Sequence, residues 1–162
     1  MEIAPYAGTH DEKSIALILK MQNQEAKINL SLAGQPDLKD IWTYYQKNGC
    51  KFWLAKADKK PVGAIGLQLR ENHCAVMKRF FVDSHYRLQK IGLSLYQKML
   101  SFAKEKDVRP IILDTSSVAH ALHRFYETVG FTEFAHNYFR FVIFPPSKIP
   151  FSISWIIAVS RI

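Results

Sequence analysis

The sequence predicts an α/β (α+β) fold, in which a mixed, mostly antiparallel central sheet with one parallel βαβ unit is flanked by helices on both faces. Three apolar runs follow one another between residues 52 and 82 with only brief turns between them. A segment with helical periodicity and a further apolar run come next, which adds the βαβ unit. Because 162 residues suffice for one well-buried core, we expect a single domain over residues 1–162.

Two helices are predicted before the first strand. Residues 9–12, Thr-His-Asp-Glu, fit a capping box, and apolar residues then recur at helical spacing. Pro36 opens the second helix, and Asn48 and Gly49 supply a left-handed stop. Its apolar residues, which we expect in the core, are Leu38, Ile41, Trp42 and Tyr45.

The apolar runs 52–55, 62–69 and 74–82 are typical of strands. Consecutive strands joined by short turns predict an antiparallel meander. Residues 88–104 then follow a period of 3.6, which predicts a helix, and residues 111–113 form a short buried strand. Because a strand, a helix and a strand follow in this order, the strands 74–82 and 111–113 should be parallel.

A further helix is predicted over residues 118–129, with Gly130 as its stop. The apolar run of the tail, residues 145–162, is too short to span a bilayer as a helix. We therefore expect no membrane contact. Instead we expect a last strand, either paired with the strand from Phe134 or shared with a second subunit in a homodimer.

The net charge is +8, from 22 Lys and Arg against 14 Asp and Glu, which favours acidic partners such as a phosphorylated cofactor. The basic residues are spread along the chain and none of the nucleic-acid-binding signatures is present, so nucleic acid is not the expected ligand. Cys50 and Cys74 form no CxxC pair, which suggests neither a zinc site nor a disulfide framework, although a single bridge stays open. Without an export signal, the expected location is cytoplasmic.

The segment 82–92, Val-Asp-Ser-His-Tyr-Arg-Leu-Gln-Lys-Ile-Gly, connects a predicted strand to a predicted helix. A helix N-terminus presents unpaired N–H groups and the positive end of the helix dipole, which together hold a phosphate. With one glycine in the loop, the pattern fits an ordinary connection about as well as a phosphate site.

Together with this loop, Leu-Asp-Thr at 113–115 and His-Arg-Phe-Tyr-Glu-Thr-Val-Gly-Phe at 123–131 resemble the GCN5-related N-acetyltransferases, the GNAT family. Members typically carry an Arg- or Gln-led glycine loop after the fourth strand, and then a Tyr followed by a short helix end and Gly-Phe. The resemblance covers residues 52–134. It implies the acyl-CoA N-acyltransferase fold, with the pantetheine arm of the co-substrate acetyl-CoA in a gap between the strands 74–82 and 111–113.

The resemblance also implies cofactor-binding residues. Backbone groups of Phe80 and Val82 would hold the pantetheine arm. N–H groups of the loop would hold the pyrophosphate, and the residues concerned are Arg87, Leu88, Gln89, Lys90, Ile91 and Gly92. Lys90 stands where the family usually has its first glycine, and it cannot freely take the positive φ values open to glycine. It then either weakens phosphate binding, contacts a phosphate itself or is simply a solvated lysine.

Tyr126 is the residue that the resemblance assigns to catalysis. A thiolate leaves more easily when an adjacent phenol, of pKa about 10, donates a proton. The alternative is a tyrosine that packs beside Phe125. Where many members carry a Glu that relays the amine proton, this chain has Val76, so another group must remove that proton. The candidates are Glu25, Glu71, His73 and His85.

The first hypothesis is therefore an enzyme that transfers the acetyl group of acetyl-CoA to a primary amine by direct attack in a ternary complex. The acceptor is a small-molecule or protein amine, and the resemblance suggests that helices around Glu25 and Gln35 cover it, with Glu25 as a substrate-binding residue. The rival is a domain of the same fold that binds acyl-CoA or a protein without chemistry, and the departures at Val76 and Lys90 favour it.

Two other constellations predict no site. His120 and His123 lie three residues apart on a predicted helix, but no third ligand accompanies them, so no metal is expected. Asp114, Ser116 and His120 include the residue types of a hydrolase triad, but the GxSxG motif is absent.

Overall fold

The protein is described by a computed structural model for residues 1–8, 11–25, 31–46, 49–115, 120–135 and 140–143. The strands in these ranges are β1 (Glu2–Pro5), β2 (Lys51–Ala57), β3 (Lys60–Leu69), β4 (Ala75–Val82), β5 (Ile111–Asp114), β6 (Thr132–Ala135) and β7 (Arg140–Ile143). They form one seven-stranded sheet in the order β1-β2-β3-β4-β5-β7-β6. Of these pairs β4–β5 is parallel and the others are antiparallel, so the predicted mixed sheet is confirmed.

The predicted meander consists of β2, β3 and β4. The turn between β2 and β3 contains Asp58 and Lys59, whose φ angles are 49° and 63°. Two-residue turns with positive φ match the twist of hairpin strands, so β2 and β3 run right up to the turn. The strand β1 was not predicted; it has four residues and pairs with the outer edge of β2.

Within the described ranges, five α-helices accompany the sheet: α1 (Asp11–Lys20), α2 (Pro36–Lys39), α3 (Ile41–Gln46), α4 (Ile91–Glu105) and α5 (His120–Thr128). Side chains of β2 alternate between two cores. Trp53 and Ala55 pack in a core with residues of α4 and α5, whereas Phe52 and Leu54 pack with residues of α1, α2 and α3. Because successive side chains of a strand point to opposite faces, helices cover both faces of the sheet, as predicted.

The helix predicted over residues 88–104 begins later, at Ile91. Leu88 and Lys90 have φ angles of 63° and 61°, which a right-handed helix does not contain. The predicted apolar face is nevertheless correct, because Ile91, Leu95, Met99, Phe102 and Ala103 are all buried.

The second predicted helix is in fact two short helices. Asp40 has φ −149° and ψ 85°, which ends α2, and its Oδ1 then accepts the Thr43 N–H at 2.8 Å at the start of α3. Leu38, Ile41 and Tyr45 are buried as expected. The expectation for Trp42 was wrong, since 43% of it is exposed: the break at Asp40 interrupts the single helical face that was assumed.

Several predictions fall on residues outside the described ranges. They concern Thr9 and His10 of the capping box, the start of the helix 118–129 and the tail 145–162. In the part of the chain that the structure covers, no helix is long and apolar enough to cross a membrane.

Candidate functional site

A cavity of about 620 Å³ lies where β4 ends and α4 begins, and α5 contributes a further part of its wall. Seven of the eight predicted cofactor-binding residues line it: Phe80, Val82, Arg87, Leu88, Lys90, Ile91 and Gly92. The eighth, Gln89, is exposed on the loop and is not part of the lining. The loop and the strand end that the sequence singled out are thus brought together around one space.

The strands β4 and β5 separate soon after they meet. They pair only at Ala75 with Ile111 and at Val76 with Ile112, although β4 continues to Val82. Beyond Val76, the β5-facing edge of β4 therefore has no strand partner within the described residues. This pairing agrees with the gap that the family resemblance implies.

Phe80 and Val82 direct their backbone groups toward this gap. The Asp83 N–H donates to the Val62 carbonyl on the β3 side at 2.9 Å. Because backbone groups of successive strand residues point to opposite edges, those of Val82 and Phe80 point away from β3. The Val82 carbonyl accepts a hydrogen bond from Nε of Arg87 at 3.3 Å.

A bulge in β4 produces this orientation. At the start of β4, the Ala75 N–H donates to the Pro110 carbonyl on the β5 side at 3.0 Å, so that odd-numbered residues face β5 there. At the end of β4, even-numbered residues face the gap. The change coincides with a shift of register opposite Ala64–Gly66 and with a φ of 57° at Arg79. Bulges re-aim the residues that follow them, and are frequent next to active sites.

The N-terminus of α4 borders the cavity. The first-turn N–H groups of an α-helix have no partner within the helix, and here they belong to Ile91, Gly92 and Leu93. Lys90 precedes them with φ 61°, so the position where the family has glycine does require a left-handed backbone. A Cβ on Gly92 would lie 3.4 Å from Cζ of Phe80, which shows how closely the helix approaches β4.

Tyr126 is buried beside the cavity and does not line it. Its ring packs against three phenylalanines, with centroid distances of 6.2 Å to Phe80, 6.0 Å to Phe125 and 5.7 Å to Phe131. Burial raises the pKa of the Tyr126 phenol well above its usual value, so this side chain is protonated at neutral pH.

The opposite face of β4 carries a buried polar cluster of Gln35, Asp37, Tyr45 and Arg79. Nε and Nη2 of Arg79 donate to the two oxygens of Asp37 at 2.8 and 2.6 Å, and Nη1 donates to Oε1 of Gln35 at 2.6 Å. The Tyr45 hydroxyl also donates to Asp37, at 3.3 Å. Burial alone would raise the pKa of Asp37, but the hydrogen bonds and charge of Arg79 outweigh it, so this pKa lies below its usual value.

This cluster was not predicted from the sequence, because Asp37 and Arg79 lie 42 residues apart and no local pattern connects them. The available signal was Lys78-Arg79, a pair of charges inside an otherwise apolar strand. Because buried charges need partners, such a pair predicts an acidic residue that contacts it from elsewhere in the chain.

Of the four candidate proton acceptors, the three whose side chains the structure describes are not brought together. Glu71 and His73 are exposed in the turn before β4, whereas His85 lies beyond its other end. The Nδ1 atom of His85 is 2.9 Å from Oδ1 of Asp83, and 79% of the histidine side chain is exposed. The backbone of Glu25 ends the π-helical turn Met21–Glu25 that follows α1, and its side chain lies outside the description.

The other constellations assemble no site in the described residues. The His120 and His123 rings are 5.9 Å apart, but no three His, Cys, Asp or Glu side chains in these ranges form a metal-binding group. Cys50 and Cys74 are buried thiols that form no disulfide, and burial raises the pKa of each. Ser116 of the triad-like set lies outside the described residues.

Comparison with known sequences identifies relatives. The model of the Acetyltransferase (GNAT) family matches residues 18–131. The N-acetylaspartate synthetase of Danio rerio is 36% identical over 104 residues, which make up 63% of this chain and 37% of that protein. The chain thus spans little more than a third of the length of this relative.

Comparison with solved structures agrees. An acetyltransferase of the GNAT family from Staphylococcus aureus Mu50 superimposes with a TM-score of 0.85 at 30% identity, covering 90% of this chain and 99% of that one. The PaiA N-acetyltransferase of Thermoplasma acidophilum, solved in complex with coenzyme A, has the same fold, with a TM-score of 0.73 at 18% identity over 88% of this chain and 98% of that one. From the family match and these neighbours, the chain belongs to the GNAT family of acetyltransferases.

Proposed function

We propose that residues 1–162 form one domain that transfers the acetyl group of acetyl-CoA to a primary amine by direct attack in a ternary complex. The gap between β4 and β5 is the observation that supports this most strongly, because the backbone of Phe80 and Val82 points into it beside the N-terminus of α4. Membership of the GNAT family and the coenzyme A complex of a structural neighbour support the same co-substrate.

Each part of the cofactor has a complementary surface in this proposal. The amide-rich pantetheine arm lies in the gap and pairs with the free edge of β4. The pyrophosphate lies against the N–H groups of Ile91, Gly92 and Leu93, at the positive end of the dipole of α4. Arg87 and Lys90, which line the cavity, add positive charge.

Tyr126 is the proposed general acid. Its phenol, which is protonated at neutral pH, would donate a proton to the sulfur of coenzyme A as the amine displaces it. The contact of its ring with Phe80 keeps it next to the strand that binds the cofactor in this proposal.

The acceptor is proposed to be a small-molecule amine, with a protein amine as the alternative. The relative from Danio rerio is named for an acetylated amino acid, which supports the small-molecule acceptor.

The first test is thermal unfolding with and without excess acetyl-CoA. A ligand at 100 times its dissociation constant stabilises a protein by about 2.7 kcal/mol, so we expect a clear rise of the unfolding midpoint. Inorganic polyphosphate of equal charge should give a much smaller rise. No rise with acetyl-CoA would contradict the proposal, and a rise without acetylation of any amine would favour the rival, a non-catalytic acyl-CoA-binding domain.

A second test addresses Tyr126. The Tyr126→Phe variant should lose about 100-fold in kcat while it keeps the acetyl-CoA midpoint shift, because only the proton donor is removed. Tyr96→Phe is a matched control, since Tyr96 is equally buried on the same face of the sheet but donates its hydroxyl to the Val129 carbonyl at 3.3 Å. Equal kcat values for the two variants would exclude Tyr126 as the acid.

A further inference from the structure

Lys78 lies near the start of the gap, on the face of β4 that α2 and α3 cover. It is two residues beyond Val76, the last residue that pairs with β5, and alternation places both side chains on the same face. Its register partner on β3 is Gly66, and a Cβ on Gly66 would point at Tyr45 of α3. Paired residues of neighbouring strands share a face, so the side chain of Lys78 lies on the face that α2 and α3 cover. Lys78 therefore borders the gap from the side opposite to α4.

Among the residues that the structure describes, Lys78 has no counter-ion within bonding distance. In the described part of the chain, its ammonium makes no hydrogen bond or ion pair, although the residue is half-buried. The buried carboxylate of Asp37 already accepts hydrogen bonds from Arg79 on both oxygens and from Tyr45 on one.

Four charged groups act on the ammonium of Lys78. Arg79 and Arg70 repel the ammonium of Lys78, and Asp37 and Asp114 attract it. With Lys78 itself, three cations face two carboxylates, and Asp37 is bonded to Arg79. Burial, which is the largest effect, lowers the pKa of Lys78, as expected for a cation that has lost water without gaining a partner.

An anion supplied by a ligand would complete this arrangement. A half-buried cation is costly unless it is paired, and a ligand carboxylate that accepts a hydrogen bond from the Lys78 ammonium would remove that cost. An α-amino acid carries its amine on the carbon next to the carboxylate. With the carboxylate on Lys78, the amine would lie within a few ångströms of it, beside Val76 and the gap.

We propose that Lys78 binds the carboxylate of the acceptor, so that the enzyme selects amines with an adjacent carboxylate, the class of α-amino acids. This inference rests on the proposed acetyl transfer, and it adds the specificity of the acceptor site. Lys78 is here a binding residue, and the competing role is that of a general base, which its lowered pKa would also suit.

The experiment compares an α-amino acid with its neutral amide, leucine against leucinamide, and includes aspartate. Steady-state rates are measured at saturating acetyl-CoA and expressed per unprotonated amine. The protein with Lys78 should favour leucine over leucinamide by at least about tenfold in kcat/KM, the range of a charge-assisted hydrogen bond. Lys78→Met should abolish this preference by raising KM for leucine, with kcat nearly unchanged, and Lys78→Arg should restore it. Lys98→Met, at an exposed position of α4, should behave like the unmodified protein.

Other outcomes would overturn the inference. Equal loss of kcat for leucine and leucinamide in Lys78→Met would indicate a base or a structural role. Acetylation of leucinamide or spermidine without acetylation of amino acids would leave the proposed acetyl transfer intact and refute carboxylate selection. If no amine is acetylated, calorimetric titration of N-acetylleucine into the protein saturated with coenzyme A decides: binding lost in Lys78→Met supports the inference, and no binding refutes it.

Discussion

The two faces of β4 are stabilised by different interactions. Toward α4 and α5, Met77 and Phe80 lie in an apolar core, where Phe80 stacks 5.4 Å from the ring of Phe125. Toward α2 and α3, the same strand presents Lys78 and Arg79, and the second of these is held by hydrogen bonds to a buried carboxylate. The apolar face depends on the area removed from water, whereas the polar face depends on individual partners in fixed positions.

This difference assigns two roles to one strand. In our proposal, the apolar side and the free edge of β4 receive the cofactor, and the polar side faces the acceptor. Substitutions on the two faces should therefore differ in their dependence on pH as well as in their size.

The largest effect is expected for Asp37→Asn. This variant should lower the free energy of unfolding by about 3 kcal/mol at pH 7, because Arg79 would remain buried without its anionic partner. The pKa of Asp37 is lowered in the folded protein, so its contribution is complete above the usual value of 3.8 and is lost as the pH falls through the lower folded value. Urea unfolding between pH 7 and pH 3 should show the difference shrinking below about pH 4.

Leu95→Ala is the matched loss on the apolar face, because Leu95 is a completely buried residue of α4. This variant should also lower the free energy of unfolding by about 3 kcal/mol, and the loss should be the same at every pH in this range. Asp58→Asn, in the exposed turn between β2 and β3, should change stability by less than about 0.5 kcal/mol. A pH-independent cost for Asp37→Asn would contradict the ionic account of the polar face.

A smaller effect is expected for Gly66→Ala. A Cβ at this position would lie 2.7 Å from Oη and 2.9 Å from Cζ of Tyr45, which is 1% exposed and has no space to move into. We expect a loss of about 2 kcal/mol from overpacking, measured by urea unfolding. In a Tyr45→Phe background the loss should be smaller, since the closest atom is gone. Gly34→Ala, with no atom within 4 Å, serves as the control, and equal costs for the two would refute the steric explanation.

The smallest effect concerns the loop before α4. Lys90→Gly should raise the free energy of unfolding by up to about 1 kcal/mol, because glycine adopts the φ of 61° without the strain of a side chain. Lys98→Gly, inside α4, should instead lower it by about 1 kcal/mol. If acetyl-CoA still raises the unfolding midpoint of Lys90→Gly, the backbone rather than the ammonium of Lys90 binds the phosphate. A Lys90→Gly protein that is less stable than the unmodified one would contradict the backbone strain attributed to Lys90.

Much of the scaffold follows from local patterns. Short stretches of sequence predict the apolar face of α4, the βαβ order and the meander, and the structure confirms all three. The loop was also identifiable, since a strand, a phosphate-type turn and a helix are adjacent along the chain. Trp42 shows the limit of this reasoning, because a single break at Asp40 moved it from the core to the surface.

By itself, the sequence determined the fold class, the family and the loop that lines the cavity, because these depend on periodicity and on residues close together in the chain. Only the tertiary structure decided which residues of β4 turn their backbone toward the gap and which residues pair with the charged side chains of β4. The bulge at Arg79 turns the backbone of Phe80 and Val82 toward the gap, and Asp37 reaches Arg79 from 42 residues away. Such pairings depend on which surfaces meet after folding, and so no local pattern of the chain contains them.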